Sequence, residues 1–563
     1  MVVISIITPP KVEPTFQLSA PDSDIYLGPI VLEQSLRNHG FEDVANYDLS
    51  RNGKFAMIRE YDRTPDFEQQ LFGIADAEVC VAEAASRIRD SDLYLISMHL
   101  ANHTSGMKLA ERLKREHLGG QRKNAGYMVV GGPSIAETTE RILAVSEIDA
   151  ACYGYGEETA PHLAHFVRSA AYGNVPLHTL SVVPNLYVRG ERGEFVRTPF
   201  VLPGEIVTPS LALLEHTVRE IHAERLPIVG AYGCEWGRCN YCYLSSKPQH
   251  YRPKPIQEIV DEVDRGARIE GIQTISILDE AFLHRADDFR EAFGGRNLPA
   301  RFDFDARPNH VLQHGESLER LIRAFSGTTF IAYVGAESFD PEVLNSFHRG
   351  VSVEQTTAAT ERLVALDDKY ENFDFQTAFF LWAVGQTRQG LYRGVNLWEK
   401  ATRGRVTPAD LLKIQRFNIY TSPLTTSETR NAFDHEMDEQ ERRLAVMYPY
   451  GRAVFQEPLR SLYESFTQHI MTSMPLLPHE SHEVKKMVPQ STRRALGKWG
   501  KRLLDQPYET MLRLYLIEAS PETIQTALKD LRQLWGALRG GRMDPDVQLR
   551  VMTPSGNHML NYL

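Results

Sequence analysis

Through the first 170 residues, short apolar runs alternate with stretches whose apolar positions recur every three or four residues. Val3–Ile7, Ala45–Leu49, Leu93–Ser97, Tyr127–Val130 and Asp149–Tyr153 read as strands. The stretch from Ile30 to Gly40, Ala82–Ile88, Met107–Leu113, Ala136–Val145 and Thr159–Val167 read as helices between them. Continuous apolar strands joined by amphipathic helices predict a parallel sheet covered on both faces, a Rossmann-like doubly wound domain. A Gly-containing turn between Leu186–Val188 and Glu194–Val196 predicts a hairpin, followed by a Pro- and Gly-rich tract. The alternation then resumes. Strands are expected at Pro227–Ala231, Thr274–Leu278, Arg301–Asp305, Thr329–Val334 and Thr377–Val384. Helices are expected at Pro255–Ile269, Ala286–Phe293, Leu318–Phe325 and Val353–Leu366. This second series predicts a partial βα barrel of TIM type, whose chemistry sits at the carboxyl ends of its strands. From about Asp434 the periodicity becomes helical throughout. The reading is α/β: a first domain over 1–175, a linker and hairpin over 176–215, a barrel over 216–425 and a helical cap over 426–563.

A chain of 563 residues exceeds what one hydrophobic core supports, which agrees with this division. Basic residues number 62 and acidic ones 73, so the net charge of -11 argues against a nucleic acid or an anionic membrane as partner. No apolar run has bilayer-spanning length, and the opening MVVISIITPP reads as a buried strand rather than a signal peptide. The expected compartment is cytoplasmic, where clustered thiols are metal ligands more often than disulfides.

Ligands of wound sheets bind beyond the carboxyl ends of the strands. Those ends read Thr8-Pro9-Pro10, Met98-His99-Leu100, Gly131-Gly132-Pro133 and Gly154-Tyr155-Gly156-Glu157-Glu158. Glycines at two neighbouring ends suit the close approach of a flat or bulky ligand, and the missing G-x-G-x-x-G after the first strand argues against a dinucleotide. In the second series the strand ends are polar: Asp279-Glu280, Arg307, Gly335-Ala336-Glu337-Ser338 and Gly385-Gln386-Thr387. Just after its first strand, Cys234, Cys239 and Cys242 follow the spacing C-x4-C-x2-C. Three chemistries are compatible with that trio: a structural zinc site lacking its fourth ligand, a single cysteine nucleophile, or a [4Fe–4S] cluster with one iron left open.

The order of these motifs resembles the radical S-adenosylmethionine superfamily, and in particular its cobalamin-dependent branch, in which a B12-binding wound sheet precedes the barrel. The resemblance rests on Cys239-Asn240-Tyr241-Cys242, "SILDEAF" on the second barrel strand, "VGAES" on the fourth, and "LEQSLRNHG", "VVGGPS" and "GYGEET" in the first domain; it covers about residues 1–420. It implies a [4Fe–4S] cluster on Cys234, Cys239 and Cys242, S-adenosylmethionine (SAM) at its open iron, and cobalamin on the first domain. It implies that Tyr241 packs near the adenine, that Asp279 and Glu280 meet the methionine ammonium, and that Glu337 and Ser338 meet the ribose or methionyl end. Thr8, Pro9, Met98, Gly131, Gly132, Pro133, Gly154, Gly156 and Glu157 would then border the cobalamin. The implied activity is methyl transfer from SAM by way of cobalamin to an unactivated carbon of a peptide or small natural product, with a reducing partner such as flavodoxin or ferredoxin. Cyclisation or rearrangement without net methyl transfer is the alternative within the family. A non-catalytic cobalamin sensor or carrier with a structural metal is the alternative outside it.

Two departures matter. The family spacing is C-x3-C-x2-C, and Glu235-Trp236-Gly237-Arg238 adds one residue, which Gly237 is expected to absorb as a bulge. The family's D-x-H-x-x-G cobalt-ligand motif is missing after the first strand; His103-x-x-Gly106 follows the third strand without the Asp, and His103 reads as a polar loop residue. Acids at strand–helix joints also serve as helix caps, so Asp279, Glu280 and Glu337 have that second reading. Cys80 and Cys152 read as buried, unreactive thiols. Tyr448, Tyr450, Trp499 and Trp535 read as core of the helical cap, and the basic stretch Gln490–Arg502 as a solvated face.

Overall fold

The computed structural model describes residues 2–10, 25–50, 77–98, 102–118, 120, 126–132, 147–170, 177–190, 194–239, 242, 244, 251–379, 387–403 and 519–526. The first sheet takes strands β1 (Ile4–Thr8), β2 (Val44–Asp48), β3 (Leu93–Ser97), β4 (Tyr127–Gly131) and β5 (Ala150–Cys152) in the order β2-β1-β3-β4-β5, all parallel. Successive residues of a strand face opposite sides, and here both sides are core. Ile4, Ile6, Leu93, Leu95 and Val129 pack with Leu36 of α1 (Leu27–Asn38) and with Leu163 and Val167 of α4 (Gly156–Ala170). Their neighbours Ile7, Tyr94, Ile96, Met128 and Val130 pack with Val81 and Ala84 of α2 (Ala77–Arg87) and with Leu109 and Leu113 of α3 (His103–Leu118). A strand buried on both faces has no polar positions to spare, which is why these runs are apolar without alternation.

The hairpin strands β6 (Leu186–Arg189) and β7 (Phe195–Arg197) are hydrogen-bonded into this sheet, β6 antiparallel to β5. The segment read from sequence as a joining hairpin therefore extends the first sheet through residue 197.

The second body is a five-stranded parallel sheet in the order β14-β13-β12-β11-β8. Its strands are β8 (Arg225–Val229), β11 (Thr274–Leu278), β12 (Arg301–Ala306), β13 (Thr329–Glu337) and β14 (Phe373–Phe379). The helices that follow them include α6 (Ile256–Gly266), α7 (Ala286–Phe293), α8 (Pro308–Ala324) and α10 (Val353–Lys369). An aromatic layer joins strands to helices: Phe282, Phe289, Phe293, Phe302, Phe304 and Phe330 are all at most 1% exposed. Two short antiparallel strands, β9 (Ala231–Tyr232) and β10 (Arg252–Pro253), close the base of the loop that carries the cysteines.

Three element boundaries differ from the expectation. β14 begins at Phe373 rather than Thr377, because Asp374 and Gln376 interrupt the apolar run of an edge strand. The helix expected from Leu318 begins at Pro308, with a non-helical His314 inside it. Its first half, PNHVLQHGES, is polar and lacks a visible apolar stripe. His103 is the first residue of α3 rather than part of a loop.

Candidate active site

The cysteines leave the sheet immediately after β9, and two left-handed glycines shape their loop: Gly233 at φ 76° and Gly237 at φ 55°. Gly237 thus takes the strained turn that the added residue demands. The Cys242 amide donates to the Cys239 carbonyl at 3.2 Å, folding the C-x2-C pair into a turn. Cys239 is 4% exposed; Cys234 and Cys242 are half-buried. Burial pushes the Cys242 thiol up to about 12, and the Glu280 carboxylate, Cys239 and Cys234 add to that rise. The three sulfurs therefore lie within electrostatic reach of one another.

Glu235 and Trp236, in the lengthened spacer, have partners. The Trp236 indole Nε1–H donates to the His348 carbonyl at 2.6 Å, and its ring packs where a Cβ on Gly350 would stand. The guanidiniums of Arg307 and Arg238 lie 5.4 and 5.1 Å from the ring centroid. This fastens the cysteine loop to the turn that precedes α10. From the same turn Arg349, 6% exposed, donates to the Gly335 carbonyl at 2.6 Å and to Cys239 Sγ at 3.6 Å, and pairs with Glu337 at 3.4 Å. Arg307, 2% exposed, donates to the Arg349 carbonyl at 2.7 Å.

The predicted strand-end residues divide. The Asp279 carboxylate is taken by the protein: it accepts from the Tyr251 hydroxyl at 3.1 Å and the Ala281 amide at 2.9 Å, and Arg285 stands 3.9 Å away. The bond to the amide two residues on closes a turn just ahead of the 3-10 segment Phe282–Arg285. Ser338 accepts from the Asp340 amide at 3.0 Å and helps start α9 (Pro341–Ser346). Glu337 pairs with Arg349, and Glu280 lies within electrostatic reach of Cys242. Burial raises the Glu280 carboxyl against the opposing pull of Arg349 and Arg307. Glu337 sits at φ 63°, after an irregularity in the β13–β14 register, a strained backbone of the kind that collects at functional sites. Asp305, which the sequence pattern hides inside β12, joins them. Burial and the carboxyls of Glu280, Asp303 and Asp279 push it up to about 8. Glu280 and Asp305 thus form a pair of acids in which one proton is retained at neutral pH. A carboxyl raised above its unfolded value costs stability as pH climbs from the unfolded pKa to the folded one. Asp305→Asn is expected to flatten the decline of Tm between pH 6 and 8, a decline worth up to about 1.4 kcal/mol per pH unit in the parent. Thermal unfolding of the apoprotein across that range checks it.

Beside this set lie three imidazoles. His284 follows β11 and is stacked 4.3 Å from His310 and from His314, both on α8. Burial, with His284 and Arg307 nearby, pushes His310 down to about 3, so its ring is neutral. None of the three was singled out by sequence.

On the first domain, Gly131, Gly132, Gly154, Gly156 and Glu157 line one cleft of about 240 Å³ at the carboxyl ends of β3, β4 and β5. Several of these glycines also answer to the protein's own packing. Gly132 has φ 121° and its Cβ would overlap the Met98 carbonyl, while Gly154 abuts Asn185 and Gly156 abuts Leu32. The Glu157 carboxylate accepts from the Tyr232 hydroxyl, and Tyr232 stacks 4.5 Å from Tyr155, so this cleft edge meets β9 two residues before Cys234. Thr8, Pro9 and Met98 lie elsewhere. Thr8 lines a separate cavity with α1 and α5 (Leu211–Ile221), and its buried hydroxyl has no partner among the described residues. The Pro9 carbonyl accepts from Asn102, and Met98 is packed in the core. Tyr241, Pro133 and nearly all of the expected helical cap lie outside the described residues; within 519–526, a helix starts after Ser520, whose hydroxyl accepts from the Thr523 amide at 3.2 Å. Cys152 is buried as expected, whereas Cys80 is half-buried.

Comparison with known proteins agrees with the barrel and its loop. Residues 228–369 match the model of the radical SAM superfamily. That match spans the cysteine loop and strands β11 to β13. Over 183 residues it is 27% identical to 4'-phospho-dehydrooxetanocin synthase of Priestia megaterium, a match covering 29% of this chain and 24% of that protein's length. In fold, the chain resembles the cobalamin-dependent S-adenosylmethionine radical enzyme OxsB, solved with aqua-cobalamin and S-adenosylmethionine, at TM-score 0.62 and 14% identity, covering 100% of this chain and 83% of that one. It also resembles the radical S-adenosylmethionine methyltransferase TsrM of Kitasatospora setae, at TM-score 0.50 and 18% identity over 71% of each chain. The expected α/β architecture of wound sheet followed by barrel is therefore borne out. Among the described residues no helix is long and apolar enough to cross a membrane.

Proposed function

We propose that this chain is a cobalamin-dependent radical SAM enzyme that transfers a methyl group from SAM to an unactivated carbon of a peptide or small natural product. The observation that carries the reading is the sulfur trio at the barrel rim, gathered beside Glu280 and under the Arg349 guanidinium. A set of three thiols with no fourth protein ligand among the described residues suits a [4Fe–4S] cluster with one open iron better than a four-ligand zinc site. Such a cluster supplies the electron that cleaves the sulfonium of SAM. The chain's own contributions follow from its contacts. Cys234, Cys239 and Cys242 would hold the iron, and Arg349 would steady the charge on Cys239. Glu280 could accept from the methionine ammonium, with Asp305 as its proton-sharing neighbour. Trp236 fixes the loop against its turn, and the Tyr232–Glu157 bond ties that loop to the glycine-lined cleft. That cleft opens at the carboxyl edge of the sheet and borders the cysteine loop, where its glycine-lined edge would hold a cobalamin. A reductant such as flavodoxin or ferredoxin would complete the system.

One observation favours the second outcome, rearrangement or cyclisation without net methyl transfer. The likeness to OxsB runs through the whole chain, and the likeness to the methyltransferase TsrM through 71% of it. SAM carrying a deuterated methyl separates the two. Label in the product supports methyl transfer; an unlabelled product formed together with 5'-deoxyadenosine supports rearrangement.

A further inference from the structure

The residue that departs from the usual cysteine spacing, Glu235, points at two histidines from different elements. Its Oε1 lies 3.2 Å from His284 Nδ1, on the turn after β11, and its Oε2 lies 3.6 Å from His310 Nε2, at the start of α8. The three ligand atoms all lie within 4.8 Å of one another. His310 is fixed from behind: its Nδ1 lies 3.1 Å from the Glu280 carbonyl, which can only accept, so Nδ1 carries the hydrogen. In the neutral ring Nε2 then presents a lone pair to the Glu235 carboxylate. Two acceptors facing each other at that distance repel unless a cation stands between them. An imidazole whose far nitrogen donates to a backbone carbonyl is also the arrangement that orients and strengthens metal-ligating histidines. His310 is 2% exposed, whereas Glu235 and His284 open towards solvent, which leaves coordination positions free on one side.

We propose that Glu235, His284 and His310 form a mononuclear site for a divalent metal ion, separate from the cluster. Two imidazoles and one carboxylate with open positions suit Zn²⁺, Fe²⁺ or Mn²⁺ rather than a soft ion or Ca²⁺. Donors sharing such an ion sit about 3.0–3.4 Å apart at the usual bond lengths. A pair at the 4.8 Å limit must close by about 1.4–1.8 Å, which rotation of the half-exposed His284 supplies. The site explains why the loop accepts its extra residue: Trp236 anchors the insertion, and Glu235 provides a ligand from the strand end next to Cys234.

The inference stands apart from the proposed methyl transfer and is tested without turnover. The probe is Co²⁺, added anaerobically to protein whose cluster has been assembled and whose labile divalent ions have been removed by chelator. Wild-type protein is expected to take up one equivalent, with weak ligand-field bands and no thiolate-to-cobalt charge-transfer band, and Zn²⁺ should displace it. His284→Ala and His310→Ala should each weaken uptake by more than the roughly 10–100-fold that losing an outer-shell partner costs, while the cluster's iron and sulfide content and the circular dichroism stay those of the parent. His216→Ala, an exposed histidine on α5, should change nothing. The triple variant Cys234→Ala, Cys239→Ala, Cys242→Ala should still bind Co²⁺ with the same bands, which reports on the site even if no cluster assembles. Absence of uptake by wild-type protein, or equal uptake by the two histidine variants, overturns the proposal.

Discussion

Cys239→Ala is expected to remove SAM cleavage entirely while the first domain keeps its fold. Cys239 is the most buried of the trio, accepts a hydrogen bond from Arg349, and through its carbonyl anchors the turn to Cys242. Its replacement leaves two thiolates, one of which burial holds protonated in the free protein. A cluster bound by two sulfurs loses far more than the roughly 10–100-fold cost of an outer-shell change. The wound sheet packs around its own two cores, so its cooperative unfolding and the Glu157-lined cleft should survive. Iron and sulfide content should fall with 5'-deoxyadenosine formation. A variant that keeps full cluster content and cleavage would show that the iron is held elsewhere.

Arg349→Met has the second largest expected effect, and it acts on stability as well as on the cluster. The Arg349 guanidinium joins the Gly335 carbonyl, Glu337 and Cys239, and its backbone carbonyl receives Arg307. Removing one partner of a buried ion pair costs about 3–5 kcal/mol, because the other charge stays behind in a poor solvent. Glu337 would be that stranded charge, already on strained backbone. Methionine keeps the apolar stem, so the loss measures charge and hydrogen bonds rather than volume. Thermal unfolding should shift down accordingly, and cluster assembly should become less complete. Arg349→Lys, which retains charge without the forked geometry, should recover part of both. Equal stability in all three proteins would mean that the pair contributes nothing net.

The wound sheet was legible because its strands are buried on both faces, and an uninterrupted apolar run such as Leu93–Ser97 has few other solutions. The cysteine trio was legible because thiols are scarce and their spacing carries chemistry. What surrounds them was not. Arg349 and Arg307 lie far along the chain from the cysteine loop, and only folding brings Trp236 against Gly350. His310 sits on a half-helix too polar to show an amphipathic stripe, so neither the helix nor its histidine was recognised. Asp305 stands at the end of the strand expected over Arg301–Asp305, and nothing in its local sequence shows that three other acids converge on it. At Asp279 and Ser338 the hydrogen bonds are spent on turns of the protein's own backbone, at the Ala281 and Asp340 amides. The glycines of the first domain carried two meanings at once. They line a cleft, and several are also required by close contacts within the fold, so their presence alone could not distinguish ligand from turn.

The central claim is that the three rim thiolates hold an iron–sulfur cluster able to cleave SAM. Its most direct measurement is anaerobic: reconstituted protein of verified iron and sulfide content, reduced by dithionite or titanium(III) citrate, given SAM and assayed for 5'-deoxyadenosine and methionine. The account predicts both products, and a change in the electron paramagnetic resonance of the reduced cluster when SAM is added. A reduced, fully loaded cluster that neither responds to SAM nor yields 5'-deoxyadenosine, or a single zinc ion bound tetrahedrally by the same three sulfurs, would contradict it.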